Sequence, residues 1–175
     1  MIPWQTALAG AVLLIGVAAG TIARAEDAPR SLVLMEPELE GDLSDAHQIK
    51  LWPARLALLD ETLRKDLAEQ GLYRIVDNSS EAALFEQLRK RDKVHDCTAC
   101  VLDTGTKLGA DRVMNIWVYR VSALILTLHA VIRDSTTGEM IFSRHLDLRG
   151  DNDKAWLRAE AFLIRDLAAM PVSDR

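Results

Sequence analysis

The sequence predicts a single-domain α/β sandwich: a mixed sheet with an antiparallel three-strand meander, covered by helices, in the order β-α-β-α-α-β-β-β-α. Three observations predict it. Leu56, Leu59, Leu63 and Leu67 recur at helical spacing in the first half of the chain. From Arg112 the apolar period shortens to about two, the repeat of a pleated strand. After Asp151-Asn152-Asp153 helical spacing returns. Helices layered on a sheet bury both kinds of apolar face.

Ser31-Leu-Val-Leu-Met35 is a short apolar run that suits a buried first strand. The acidic, glycine-containing EPELEGDLSD that follows predicts a solvated loop. Pro53 to Gln70 predicts an amphipathic helix stopped by Gly71. Tyr73-Arg-Ile-Val76 predicts a second strand, and the side chains of Asp77-Asn78-Ser79-Ser80 are expected to cap the helix carrying Leu84 and Leu88. A further short helix follows the cysteines and closes at Thr106-Lys-Leu-Gly109. Strands are predicted over Arg112 to Val121, Ala123 to Asp134 and Met140 to Leu148, with Ser135-Thr-Thr-Gly138 as the second turn. In the last helix Trp156, Phe162, Leu163 and Leu167 are expected to supply the buried face.

Ahead of this domain, an apolar run from Ala7 to Ile22 leads into Ala23-Arg24-Ala25. Residues 1–25 therefore read as a secretory signal peptide cut before Glu26, with residues 26–175 as one domain. No Lys or Arg precedes the apolar run, so an uncleaved anchor is the competing reading. With no cysteine near the cleavage region, lipid attachment there is not expected. Without residues 1–25 the chain keeps 20 basic against 26 acidic side chains, a formal charge of −6. Nucleic acid is a poor partner for that balance, and no stable membrane insertion is expected after cleavage.

Several segments resemble a known family: Trp117-Val-Tyr-Arg-Val-Ser-Ala-Leu-Ile-Leu-Thr-Leu128, Val131-Ile-Arg-Asp134, the TTG turn, and Leu148-Arg-Gly-Asp-Asn-Asp-Lys-Ala-Trp156. They are similar to a family of uncharacterised secreted bacterial proteins whose members read V-x-K-V-S-N-L-I-L-N and R-G-N-T-D-x-S-W at these places, with D-C-x-x-C ahead of K-L-G-A-D. Here Arg120 stands in place of Lys, Ala123 and Thr127 in place of Asn, and GDNDKAW in place of GNTDxSW. The resemblance implies a fold like the amino-terminal domain of TolB, no assigned activity, and an association with periplasmic quinoprotein alcohol dehydrogenases and their cytochromes c.

Cys97 and Cys100 meet an oxidising compartment if the chain is exported, so they are expected to be disulfide-bonded. As a staple they would fix the start of the following helix. As a thiol-disulfide centre they would use the helix N-terminus to favour a thiolate, although Asp96 and Asp103 oppose it. As metal ligands with His95 they fall short of the four that a closed zinc site requires. Haem attachment needs His after the second cysteine, where Val101 stands.

Arg149, Gly150, Asp151, Asp153 and Trp156 form a possible interaction or structural motif, read as an N-cap with an acidic first turn in preference to a calcium loop. His129 and His145 lie on predicted strands with no nucleophile close by in sequence. No catalytic residue, metal site or cofactor is expected. The preferred function is a non-enzymatic periplasmic accessory protein that binds a protein, a quinoprotein dehydrogenase or a cytochrome c. A thiol-redox protein built on Cys97 and Cys100 is the alternative, and a small-molecule binding domain a third.

Overall fold

The computed structural model describes residues 28–91 and 93–175, so the leader expected over 1–25 lies outside the described residues. The elements are β1 (Ser31–Leu34), β2 (Glu38–Gly41), α1 (Trp52–Glu69), β3 (Arg74–Ile75), α2 (Ala82–Arg89), α3 (Thr98–Lys107), β4 (Arg112–Arg120), β5 (Ile125–Asp134), β6 (Met140–Arg149) and α4 (Asp153–Ala168). They form one α/β sandwich on a mixed sheet of order β3-β1-β4-β5-β6, with β2 also paired to β4. β1 lies parallel to β3 and β4, while β4, β5 and β6 make the antiparallel meander. Among the described residues no helix is long and apolar enough to cross a membrane.

One strand is additional to the expected order. β2 lies inside the acidic stretch read as a solvated loop, and it pairs parallel to β4 from Glu38 opposite Trp117 to Gly41 opposite Arg120. β1 and β2 thus lie end to end along one side of β4, separated by Met35-Glu36-Pro37. Leu39 packs against the core while Glu38 and Glu40 face the other side of the sheet, where cations and backbone N–H groups receive them. Gly41 ends the strand at φ 99°, and a Cβ there would stand 2.1 Å from the Arg120 carbonyl oxygen.

Side-chain alternation divides the core in two. Leu32 and Leu34 of β1, with Met114, Ile116 and Val118 of β4 and Leu126, Leu128 and Ile132 of β5, face α1 and α4. Val33, Met35 and Val113 face the opposite way, toward Phe85 and Leu88 of α2 and Val101 of α3. This second layer packs on β1 and β4 and leaves the same face of β5 and β6 open: Ser143, His145 and Asp147 are exposed there.

Two further expectations are corrected. Phe162 is 41% exposed, because the buried stripe of α4 runs through Trp156, Ala159, Leu163, Ile164 and Leu167, and Phe162 sits on its flank. There the Arg165 guanidinium covers its ring at 4.4 Å. The Asp77 to Ser80 side chains do not cap α2. Asp77 accepts from Ser79 N and Oγ, Asn78 donates to the Leu34 carbonyl, and a 3₁₀ turn over Ser79–Glu81 precedes the helix.

Candidate functional site

The open half of the second sheet face carries the most concentrated chemistry. Register places Glu38 opposite Trp117, Trp117 opposite His129, and His129 opposite His145, a row across four strands. Their rings form a ladder. His95, from a 3₁₀ turn over Val94–Asp96 just before α3, stacks on Trp117 at 4.5 Å, and Trp117 stacks on His129 at 4.8 Å. His145 meets His129 edge-on at 4.6 Å, with the two Nδ1 atoms 2.6 Å apart. Burial and then the neighbouring His145 hold the His129 pKa below the usual imidazole value, with a smaller opposing pull from Glu40.

His95 is fixed from both sides. Glu38 accepts from the Val94 and His95 backbone N–H groups at 2.7 and 2.8 Å, and from His95 Nδ1 at 2.7 Å. Glu40 lies 3.5 Å from His95 Nε2 and pairs with Lys93 at 3.1 Å. A small cavity of about 90 Å³ opens between His95, Thr98, Asn115, Trp117 and Val131. A larger one of about 300 Å³ lies between the β1 to β2 connection and α2, floored by Met35, Leu39 and Phe85 and rimmed by Arg89, Arg91 and Lys93.

Cys97 and Cys100 are bonded to each other. Cys97 is also the N-cap of α3, its sulfur accepting from Cys100 N–H at 3.3 Å. The Arg91 guanidinium lies 3.1 Å from Cys100 Sγ and 3.6 Å from Cys97 Sγ, a cation at the sulfurs that sequence spacing did not reveal. His95 does not join them, since its ring faces Glu38 and Trp117. Among the described residues no group of three or more His, Cys, Asp or Glu side chains is placed to hold a metal ion.

The Arg149 to Trp156 segment divides. Asn152 caps α4, accepting from Ala155 N–H at 3.0 Å, and Asp153 stands in the first turn. Gly150, at φ 96°, closes the chain onto Leu124. Asp151 turns inward, its side chain 1% exposed, and becomes a hub. It accepts from Trp52 Nε1 (2.9 Å), Trp156 Nε1 (3.2 Å), Arg55 Nη1 (2.5 Å) and Arg120 Nε (3.2 Å). Arg55 also donates to Asp153, and Arg120 to the Asp42 carbonyl and Asp45. Arg149 is exposed at the end of β6 and stays outside this network. Both carboxylates are thereby engaged by arginine. Trp52, Arg55 and Arg120 were missed because their pairing with Asp151 spans 99, 96 and 31 residues.

The fold and its sites define an α/β sandwich with one half-open sheet face beside a stapled turn. The chain belongs to the DUF3280 family, described as "Protein of unknown function (DUF2380)", which matches residues 31–167. Among curated proteins no sequence match is found. The fold is similar to lipoprotein GNA1162 from Neisseria meningitidis, at 19% identity over 81% of this chain and 98% of that one, with a TM-score of 0.51. It is similar to the LpoB C-terminal domain from Escherichia coli, at 19% identity over 70% and 84%, with a TM-score of 0.51. TolB from Acinetobacter baumannii aligns more loosely, at 10% identity over 82% of this chain and 30% of that one, with a TM-score of 0.43. At these identities the likeness concerns fold alone.

Proposed function

We propose that this chain is an exported, non-enzymatic accessory protein of the periplasm, one unit over residues 26–175 once a signal peptide over 1–25 is removed, and that it acts by binding a protein partner. The observation that carries this reading is the open half of the second sheet face. His145 is exposed there beside half-buried His129, and Trp117 and the exposed Tyr119 at the end of β4 border it, an aromatic composition typical of protein contacts. The strongest polar network, around Asp151, is consumed in holding α1, β4 and α4 together and offers no free base or nucleophile. An envelope location is supported by the likeness of fold to a Neisseria lipoprotein.

The partner we assign is a quinoprotein alcohol dehydrogenase or the cytochrome c that accepts its electrons, an assignment drawn from the family resemblance. The test is a binding titration of the purified exported protein against each purified candidate. Saturable binding that weakens at least tenfold with Tyr119→Ala, with unchanged thermal unfolding as the control for the fold, is the expected result. Failure to bind either candidate removes the dehydrogenase assignment. Binding that is indifferent to Tyr119→Ala removes this face.

The thiol-redox alternative keeps one supporting observation: Arg91 and the start of α3 both favour a thiolate at the Cys97 and Cys100 pair. Equilibration in glutathione buffers, with alkylation and mass readout, separates the two. A pair that stays oxidised across the physiological range is a staple. Ready reduction, with a mixed disulfide trapped by a single Cys100→Ser substitution, makes it a redox centre.

A further inference from the structure

His129 and His145 face each other directly across β5 and β6 on the open face, and their Nδ1 atoms point at one another 2.6 Å apart. A neutral imidazole carries one ring proton, so each ring has one nitrogen that donates and one that accepts. Two Nδ1 lone pairs cannot face each other unassisted at this distance. The contact fits either one ring's N–H donated to the other's lone pair, or a cation that both lone pairs ligate.

From this geometry we propose that His129 and His145 form a two-imidazole chelate for a borderline divalent transition metal, zinc or copper, with solvent completing the coordination shell. Imidazole nitrogen is the donor that such ions prefer, at about 2.0–2.1 Å from zinc. Two ligands at that distance, set between a right angle and the tetrahedral angle, are about 2.9–3.4 Å apart. From 2.6 Å the two nitrogens need to separate by about 0.3–0.8 Å, with the rings turned so that both lone pairs meet at the ion.

The backbone supports that geometry. Directly opposite residues of an antiparallel pair hold their Cβ atoms about 4.5–5.5 Å apart, so two imidazoles converge without strand movement. Trp117 stacks on His129 and restricts its ring from the inner side, while His145, exposed on the outermost strand of the meander, leaves the approach free. Asp147 lies two residues beyond His145 on the same face and adds negative charge beside the chelate. Binding needs no net charge change in the protein: the ring that donates from Nδ1 shifts its proton to Nε2 through solvent and offers Nδ1 to the ion. The site differs from the Cys97, Cys100 and His95 grouping considered from sequence, and no cysteine takes part.

The test is calorimetric titration of the chelator-treated exported protein with zinc chloride, paired with quenching of tryptophan fluorescence by copper(II). One ion per chain is expected. His145→Gln and His129→Gln should each weaken binding at least tenfold, and His47→Gln, at the remaining exposed histidine, should leave it unchanged. Because Trp117 lies against His129, Trp117→Phe should remove most of the copper-dependent quenching while the zinc heat remains. If His129→Gln fails to fold, the exposed His145→Gln carries the test, with thermal unfolding as its control. Absence of stoichiometric binding, or binding equal in wild type and His145→Gln, means the pair is an N–H···N hydrogen bond only and overturns the proposal.

Discussion

Asp151 shows how much of this fold rests on one side chain. Its carboxylate is desolvated, and what makes that tolerable is four donors, two of them arginines that are themselves buried. Asp151→Ala would leave Arg55 and Arg120 facing each other without the central charge. Removing one partner of a buried ion pair costs about 3–5 kcal/mol, so the denaturation midpoint should fall steeply. A change under about 1 kcal/mol would show that Asp42, Asp45 and Asp153 suffice to hold both guanidiniums. Glu160 is the opposite case. It is buried on α4 with Oε1 unpartnered among the described residues, and burial, then the Asp66 charge, pushes its pKa up to about 7. Because the folded-state value lies above the ordinary 4.5, the protonated form favours folding. Stability from this group is complete below about 4.5 and is lost as the pH rises through about 7. Glu160→Gln should therefore stabilise the protein by about 1–3 kcal/mol at pH 8 and have little effect at pH 4.5. Equal effects at both pH values in thermal unfolding would count against this.

At the scale of elements, β2 is the instructive case. Glu38-Leu39-Glu40 alternates with the period of a strand, yet its acidic composition reads as a loop until His95 and Lys93 are known to wait opposite. The strand is completed by its pairing along β4, by Leu39 on the core and by the charges opposite its glutamates, none of which local pattern contains. Gly41 is its closing contact, so Gly41→Ala should drive a methyl into the Arg120 carbonyl in a conformation alanine resists. A loss of more than about 1 kcal/mol is expected, with faster amide exchange over Glu38–Gly41 than elsewhere in the sheet. Unchanged exchange there would mean that β2 is held by its side chains alone. The meander, α1 and α4 were legible because their apolar periods are long enough to survive single polar positions such as Arg55 in α1, Glu160 in α4 and Arg144 in β6. The imidazole and tryptophan ladder was not, although His129 and His145 were each placed on a strand: only register makes 16 residues of separation into a contact. Phe162 shows the same limit on α4, where spacing alone did not separate the centre of the buried stripe from its flank.

Over the whole molecule the two layers are unequal. The α1 and α4 side holds a continuous core that includes Trp156 and is locked by the Asp151 hub, whereas the α2 and α3 side buries a smaller set and begins α2 without a side-chain cap. Stability should follow this division, since regions with few buried apolar contacts open at lower free energy. Native-state hydrogen exchange is expected to release α2 and α3 before α1, α4 and β5. The staple belongs to the weaker layer. A loop as short as Cys97 to Cys100 supplies only about 2 kcal/mol by chain entropy, so Cys97→Ser with Cys100→Ser should lower overall stability by about that amount. It should also widen the gap between the layers, because Cys97 starts α3 and Arg91 ties the sulfurs to the end of α2. The far core should remain protected in that variant, with Trp156 still buried by fluorescence. Uniform exchange across both layers, before and after removal of the disulfide, would show instead that the sandwich opens as one cooperative unit, and the open face would then be as rigid as the Asp151 hub.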